Sequence, residues 1–130
     1  LLYSDEPTIF YGEDSIKKDT NHINTSFNTN FKVGFGFRQL KIIDISTKSH
    51  QPMADISKKF WIIFNGELYN YKEIKKQLIG LGHRFFSDSD TEVLLRLYDK
   101  FGTAMFAQMR GMWALAILDL EKKYLFSPLI

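Results

Sequence analysis

Hydrophobic positions are sparse over residues 14–30 and frequent from residue 31 on. Asn, Thr, Ser, Asp and Lys dominate residues 14–30, which predicts loop, with a short strand at 9–11 before it. Val33, Phe35 and Phe37 then alternate with Gly34 and Gly36, the two-residue period of a strand with one buried face. Leu40, Ile42 and Ile43 carry the apolar signal to Asp44, and the polar stretch 45–59, with Pro52, predicts a loop. The apolar run 60–64 ends in Asn65-Gly66. Both residue types tolerate positive φ, so this pair is a strong hairpin signal, and Glu67, Leu68 and Tyr69 would open the return strand.

Helical spacing follows. Tyr71, Ile74, Leu78 and Leu81 share one face of a helix that Gly80 and Gly82 can end. Asn70 with Glu73, and Ser89 with Glu92, have the spacing of capping pairs. Val93, Leu94, Leu97, Tyr98 and Phe101 form the apolar face of a second helix ending at Gly102. Between the helices, 84–86 reads as a brief strand. A short helical stretch at 103–109 leads to a buried strand at 112–118. A charged turn at 119–123 and a partner strand at 124–126 complete a mixed α and β pattern.

Composition narrows the class. The 130 residues suit one domain able to hold a real core. They are 45% hydrophobic and 25% charged, which argues against wholesale disorder. The 17 basic and 15 acidic residues give a net charge of +2, too balanced for nucleic-acid or membrane attraction. No apolar run approaches the ~18 residues of a membrane span, and the opening lacks signal-peptide order. With no cysteine, these residues supply neither a disulfide nor a thiolate. His22, His50 and His83 show no metal-ligand spacing. Gly34-Phe-Gly36 lacks the third glycine and helix of a dinucleotide fingerprint.

Two places carry alternative chemistry. Asn65-Gly66 is either a turn or an oxyanion hole, in which an amide side chain and a backbone N–H aim at developing negative charge. Asp90 either complements the dipole of a helix start or binds the ammonium group of a ligand.

Five segments, in order, bear on that choice: Gly36-Phe-Arg-Gln-Leu-Lys-Ile-Ile-Asp44, His50-Gln-Pro-Met53, Phe64-Asn-Gly-Glu-Leu-Tyr-Asn70, Ser89-Asp-Thr-Glu-Val93 and Arg110-Gly-Met-Trp-Ala-Leu-Ala116. Together they resemble the class II glutamine amidotransferase domain of glutamine-hydrolysing asparagine synthases over residues 33–126. The resemblance implies an α+β fold, an N-terminal-nucleophile (Ntn) hydrolase-like αββα sandwich of two antiparallel sheets between helices, here incomplete at the N-terminus. It divides the chain into a divergent segment 1–32, the amidotransferase-like domain 33–126 and a divergent tail 127–130. It implies that Asn65 and Gly66 form the oxyanion hole, that Glu67 and Asp90 hold the glutamine α-amino group, and that Gln39 and Leu40 line the substrate pocket. No metal ligand or cofactor is implied for this segment. ATP and Mg2+ belong to the family's separate synthetase domain, where ammonia released from glutamine amidates aspartate. The resemblance also implies a cytoplasmic enzyme.

The sequence departs from the family pattern in ways that set further expectations. The family's nucleophile is an N-terminal cysteine, which is absent here, as are its Arg-Gly-Pro-Asp segment and the synthetase domain. Gln39 occupies the place of the arginine that pairs with the glutamine carboxylate. Losing such a charge-assisted pair costs on the order of 2–4 kcal/mol of binding. The chain is therefore expected to be inactive alone. A fragment, a frameshifted frame, a nucleophile-less non-catalytic homologue and an amino-acid-binding module all fit. A missing first strand would leave a sheet edge open to a second copy, so a homodimer is among the expected assemblies.

Overall fold

The computed structural model describes residues 50–128, together with 2–3, 7–8, 10–11, 21–22, 33–34 and 36. Two compact units emerge, Leu1–Gln39 and Leu40–Ile130. In the first unit, β1 (Leu2–Tyr3), β2 (Pro7–Thr8), β3 (Phe10–Tyr11), β4 (Asn21–His22) and β5 (Val33–Gly34) are two-residue strands. β1 pairs antiparallel with both β2 and β5, and β3 pairs parallel with β4. Phe10–Tyr11 and Val33–Gly34 fall where strands were expected. The expected strand residues 37–44 lie outside the described residues.

The second unit is an antiparallel sheet covered by helices. Its elements are β6 (Met53–Ala54), β7 (Phe60–Leu68), α1 (Tyr71–Gly80), α2 (Asp90–Phe101), a 3-10 segment (Gly102–Gln108), β8 (Gly111–Asp119) and β9 (Tyr124–Phe126). The strand order is β6-β7-β8-β9, with every pair antiparallel. Ile62, Phe64 and Leu68 of β7 and Leu115 and Ile117 of β8 form a core with Ile74, Leu78, Val93, Leu94, Leu97 and Tyr98 from the helices. Met105 of the 3-10 segment is fully buried in the same cluster. The α+β class expected from the sequence is the class observed.

Local expectations are corrected at five places. First, Asn65-Gly66 is not a hairpin turn. β7 runs straight through it, pairing Asn65 with Ala114 and Gly66 with Trp113. The long apolar strand 112–118 provides a nine-residue ladder, and that ladder outweighs the local turn preference. Second, the loop 45–59 contains β6, and its Met53 is buried against the core. Third, residues 84–86 form no strand. The backbone N–H of Phe86 is claimed instead by the Glu92 carboxylate at 2.8 Å.

Fourth, Asn70 precedes α1 but does not cap it with its side chain. Its Nδ2 donates to the Gln108 carbonyl at 2.8 Å, and its Oδ1 accepts from the Arg110 N–H at 3.0 Å. Both ends of the amide are thus spent on the approach to β8. Ser89, by contrast, does cap α2, its hydroxyl accepting from the Thr91 N–H. Asp119, expected in a charged turn, is the buried last residue of β8. Its carboxylate accepts from the Tyr98 hydroxyl at 2.8 Å and the Lys122 N–H at 2.9 Å, which fixes the turn into β9.

Candidate functional site

The far end of β7 is where the sheet stops being covered. Phe64 is buried, Asn65, Gly66 and Glu67 are exposed in succession, and Leu68 is buried again. A strand that exposes three consecutive residues offers its backbone as well as its side chains to a ligand. Gly66 sits at φ 137°, a conformation that L side chains rarely adopt. A Cβ on it would strike the Met112 carbonyl oxygen and would lie 2.6 Å from the Trp113 Cα. Across the ladder, Gly111 (φ 154°) is pressed against the Glu67 carbonyl in the same way. One glycine on each strand, two rungs apart in the ladder, therefore lets β7 and β8 approach closely where the strand is open.

Asp90 is brought to the same place from α2. It is the first residue of that helix and half-buried. Burial raises its pKa above the ordinary aspartate value, the largest effect, while the N–H groups of Thr91, Leu68 and Asp90 itself and the Thr91 hydroxyl pull the other way. The Leu68 N–H belongs to β7, one residue beyond Glu67. The structure thus sets the Asp90 carboxylate beside the Asn65–Gly66–Glu67 strand end. Gln39 and Leu40 lie outside the described residues. Among the described residues no His, Asp or Glu cluster could hold a metal ion. No described helix is long and apolar enough to cross a membrane.

Chemically, the strand end presents an amide side chain, a glycine backbone and a carboxylate, with a second carboxylate facing them from α2. Neutral N–H donors suit a developing oxyanion, and the carboxylates suit an ammonium. A half-buried carboxylate with a raised pKa is costly at neutral pH. The folded chain takes up a proton more readily than the unfolded one. Stability therefore falls as pH rises from the ordinary aspartate range through the folded-state value, and stays lower above it. Asp90→Asn is expected to raise the melting temperature at pH 7. The gain should vanish near pH 3, where Asp90 is protonated in both states. Thermal melts at the two pH values check this, and a lower melting temperature at pH 7 would contradict it.

Three residues near the site had no functional role assigned from sequence. Gln51 lies in the His50-Gln-Pro-Met53 segment and bonds to both Phe64 and Thr91. Thr91 is buried at the first turn of α2. Glu92 was expected to reach back to Ser89. It reaches further, to the N–H groups of Phe86 and Ser87. The signals in the sequence were the capping spacing for Glu92 and, for Gln51 and Thr91, their place in the segments that carry the family resemblance.

Known proteins resemble this arrangement in sequence and in fold. A family model described as a glutamine amidotransferase domain matches residues 16–127. The chain is 44% identical over 95 residues to asparagine synthetase [glutamine-hydrolyzing] 1 of Bacillus subtilis, covering 73% of this chain and 15% of that protein. It is 39% identical over 95 residues to asparagine synthetase [glutamine-hydrolyzing] 2 of the same organism, covering 73% and 12%. The chain thus spans less than a fifth of the length of these two curated relatives. The fold matches that of glutamine phosphoribosylpyrophosphate amidotransferase from B. subtilis, with a TM-score of 0.52 and 24% identity, over 58% of this chain and 19% of that one. This likeness concerns the fold alone, an antiparallel sheet with covering helices.

Proposed function

Because the chain belongs to the glutamine amidotransferase domain family, we propose that it is the glutaminase part of a glutamine-hydrolysing asparagine synthase. The observation that carries this reading is the family match over residues 16–127, within which the exposed strand end 65–67 and the acidic start of α2 both lie. In the whole enzyme, glutamine is the substrate and a synthetase domain using ATP and Mg2+ is the partner. That enzyme is a carbon–nitrogen ligase of the cytoplasm, and the present chain is a fragment of it. Asn65 and the Gly66 N–H stabilise the oxyanion as ammonia leaves. Glu67 and Asp90 orient the substrate by its α-ammonium group.

The attacking thiolate of this chemistry is not among the 130 residues, which contain no cysteine. Without a nucleophile, preorganised donors have no tetrahedral intermediate to stabilise. The purified chain is expected to release no ammonia from glutamine above a protein-free blank, as measured by a coupled ammonia assay. Glutamine-dependent release would overturn the assignment of the missing group.

Binding tests the rest of the reading. L-Glutamine at about 10 mM is expected to shift the amide resonances of Asn65, Gly66, Glu67 and Asp90, because a weakened site still has millimolar affinity. N-Acetylglutamine, which has no ammonium group, should leave them unmoved. Equal shifts with both compounds, or none with either, would remove the carboxylates from their role.

A nucleophile-less homologue that binds amino acids is the second reading, favoured by the absence of cysteine and by Gln39 in place of the family's arginine. Sequencing the gene around this frame separates the two. An upstream Met-Cys-Gly start with a downstream ATP-binding domain supports the first, and a complete frame without cysteine supports the second.

A further inference from the structure

β6 pairs Met53 with Ile62 and Ala54 with Trp61. Continuing that register by two residues puts Gln51 opposite Phe64. The backbone ladder has ended there, and the Gln51 side chain takes its place. Its Oε1 accepts from the Phe64 N–H at 2.5 Å, and its Nε2 donates to the Phe64 carbonyl at 3.0 Å. Because Phe64 offers one donor and one acceptor, the orientation of the Gln51 amide is fixed.

The same Nε2 donates at 3.3 Å to Thr91 Oγ1. Thr91 is 2% exposed, so its hydroxyl has little access to water. Thr91 follows Asp90 in the first turn of α2, so holding its side chain holds the turn that carries the Asp90 carboxylate. Phe64 is the residue before Asn65, and Thr91 is the residue after Asp90. One amide therefore ties the β7 backbone to a side chain in the first turn of α2.

We propose that Gln51 is a positioning residue, which by bonding both Phe64 and Thr91 holds the start of α2, with Asp90 in it, to the end of β7 that carries Asn65 and Gly66. Its value for glutamine binding rests on the function proposed above. The coupling itself does not, and it can be read without any ligand.

The test follows the Asp90 carboxylate by carbon NMR as a function of pH in the 130-residue chain and three variants. Gln51→Met keeps a neutral side chain of similar length and removes the amide. Thr91→Val keeps the volume and removes the hydroxyl. The third carries both changes. Each single variant is expected to shift the Asp90 titration midpoint by about half a pH unit, because the start of α2 is then no longer held to Phe64. The double variant should shift it no further than Thr91→Val alone, since Gln51 reaches α2 through that hydroxyl. Thr91→Ser should retain the wild-type midpoint. Full additivity, or an unmoved midpoint in Gln51→Met, would overturn the relay. If Gln51→Met fails to fold, Thr91→Val and Thr91→Ser decide alone: equal midpoints for the two would overturn it.

L-Glutamine titrations on the same samples separate the two levels. Wild-type binding that weakens about 5-fold or more in Gln51→Met supports the positioning role in recognition. Absence of wild-type binding would overturn the functional reading while leaving the midpoint shifts to stand or fall by themselves.

Discussion

Gly66→Ala should destabilise the chain by about 2–5 kcal/mol, lowering the melting temperature by roughly 10 °C or more. Two costs combine. The φ of 137° is strained for any residue with a Cβ, at about 1–3 kcal/mol. The added methyl must also displace the Met112 carbonyl and the Trp113 Cα, backbone atoms held by the β7–β8 ladder. Backbone cannot swing aside as a flexible side chain can, so the ladder itself has to open. Gly80→Ala is the control. Gly80 is the last residue of α1, and no atom lies within 4 Å of the place an added methyl would take, so alanine there should be neutral or stabilising by up to about 1 kcal/mol. Thermal melts of the two variants should move in opposite directions. A Gly66→Ala shift below about 3 °C would mean that the strands do not approach as closely as described.

This contrast explains what was legible in the sequence. α1 and α2 were placed to within a residue or two because Ile74, Leu78, Val93, Leu94, Leu97 and Tyr98 repeat at helical spacing and do form the core. β8 and β9 followed from a continuous apolar run and a charged turn. Asn65-Gly66 misled because a turn and an open strand end ask for the same residues, an amide and a residue tolerant of positive φ. Which of them forms depends on β8, more than forty residues away in the chain, and local patterning cannot see that. The acidic start of α2 was legible as a helix start, but its nearness to Leu68 is tertiary. The roles of Gln51 and Asn70 were hidden for the same reason. Each spends its amide on backbone groups of a distant segment, Gln51 on Phe64 and Asn70 on Gln108 and Arg110.

Glu92 extends the lesson to the second large expected effect. Its side chain is 9% exposed and spans from α2 to the loop that leads into it. Oε1 accepts from the Phe86 N–H at 2.8 Å, and Oε2 accepts from the Ser87 N–H at 2.7 Å and the Ser87 hydroxyl at 2.6 Å. The Ser87 hydroxyl oxygen accepts in turn from the Ser89 N–H at 3.3 Å. Arg96, one turn on, lies 3.9 Å from Oε1 and neutralises the charge only in part. The loop from Phe86 to Ser89 is therefore shaped around one carboxylate. Glu92→Gln keeps the volume but turns an NH2 group toward backbone or hydroxyl donors, leaving buried groups unsatisfied. It is expected to cost about 2–4 kcal/mol of stability. The loss should also be local in a measurable way. Amide hydrogen exchange at Ser87 should speed up well beyond the change in global stability, while Ile62 and Leu94 in the core follow the global value. Because the loop sets where α2 begins, the Asp90 amide should loosen with it, and glutamine affinity should fall in step. Uniform acceleration across loop and core would show that Glu92 supports the fold as a whole without specifically shaping the acidic side of the site.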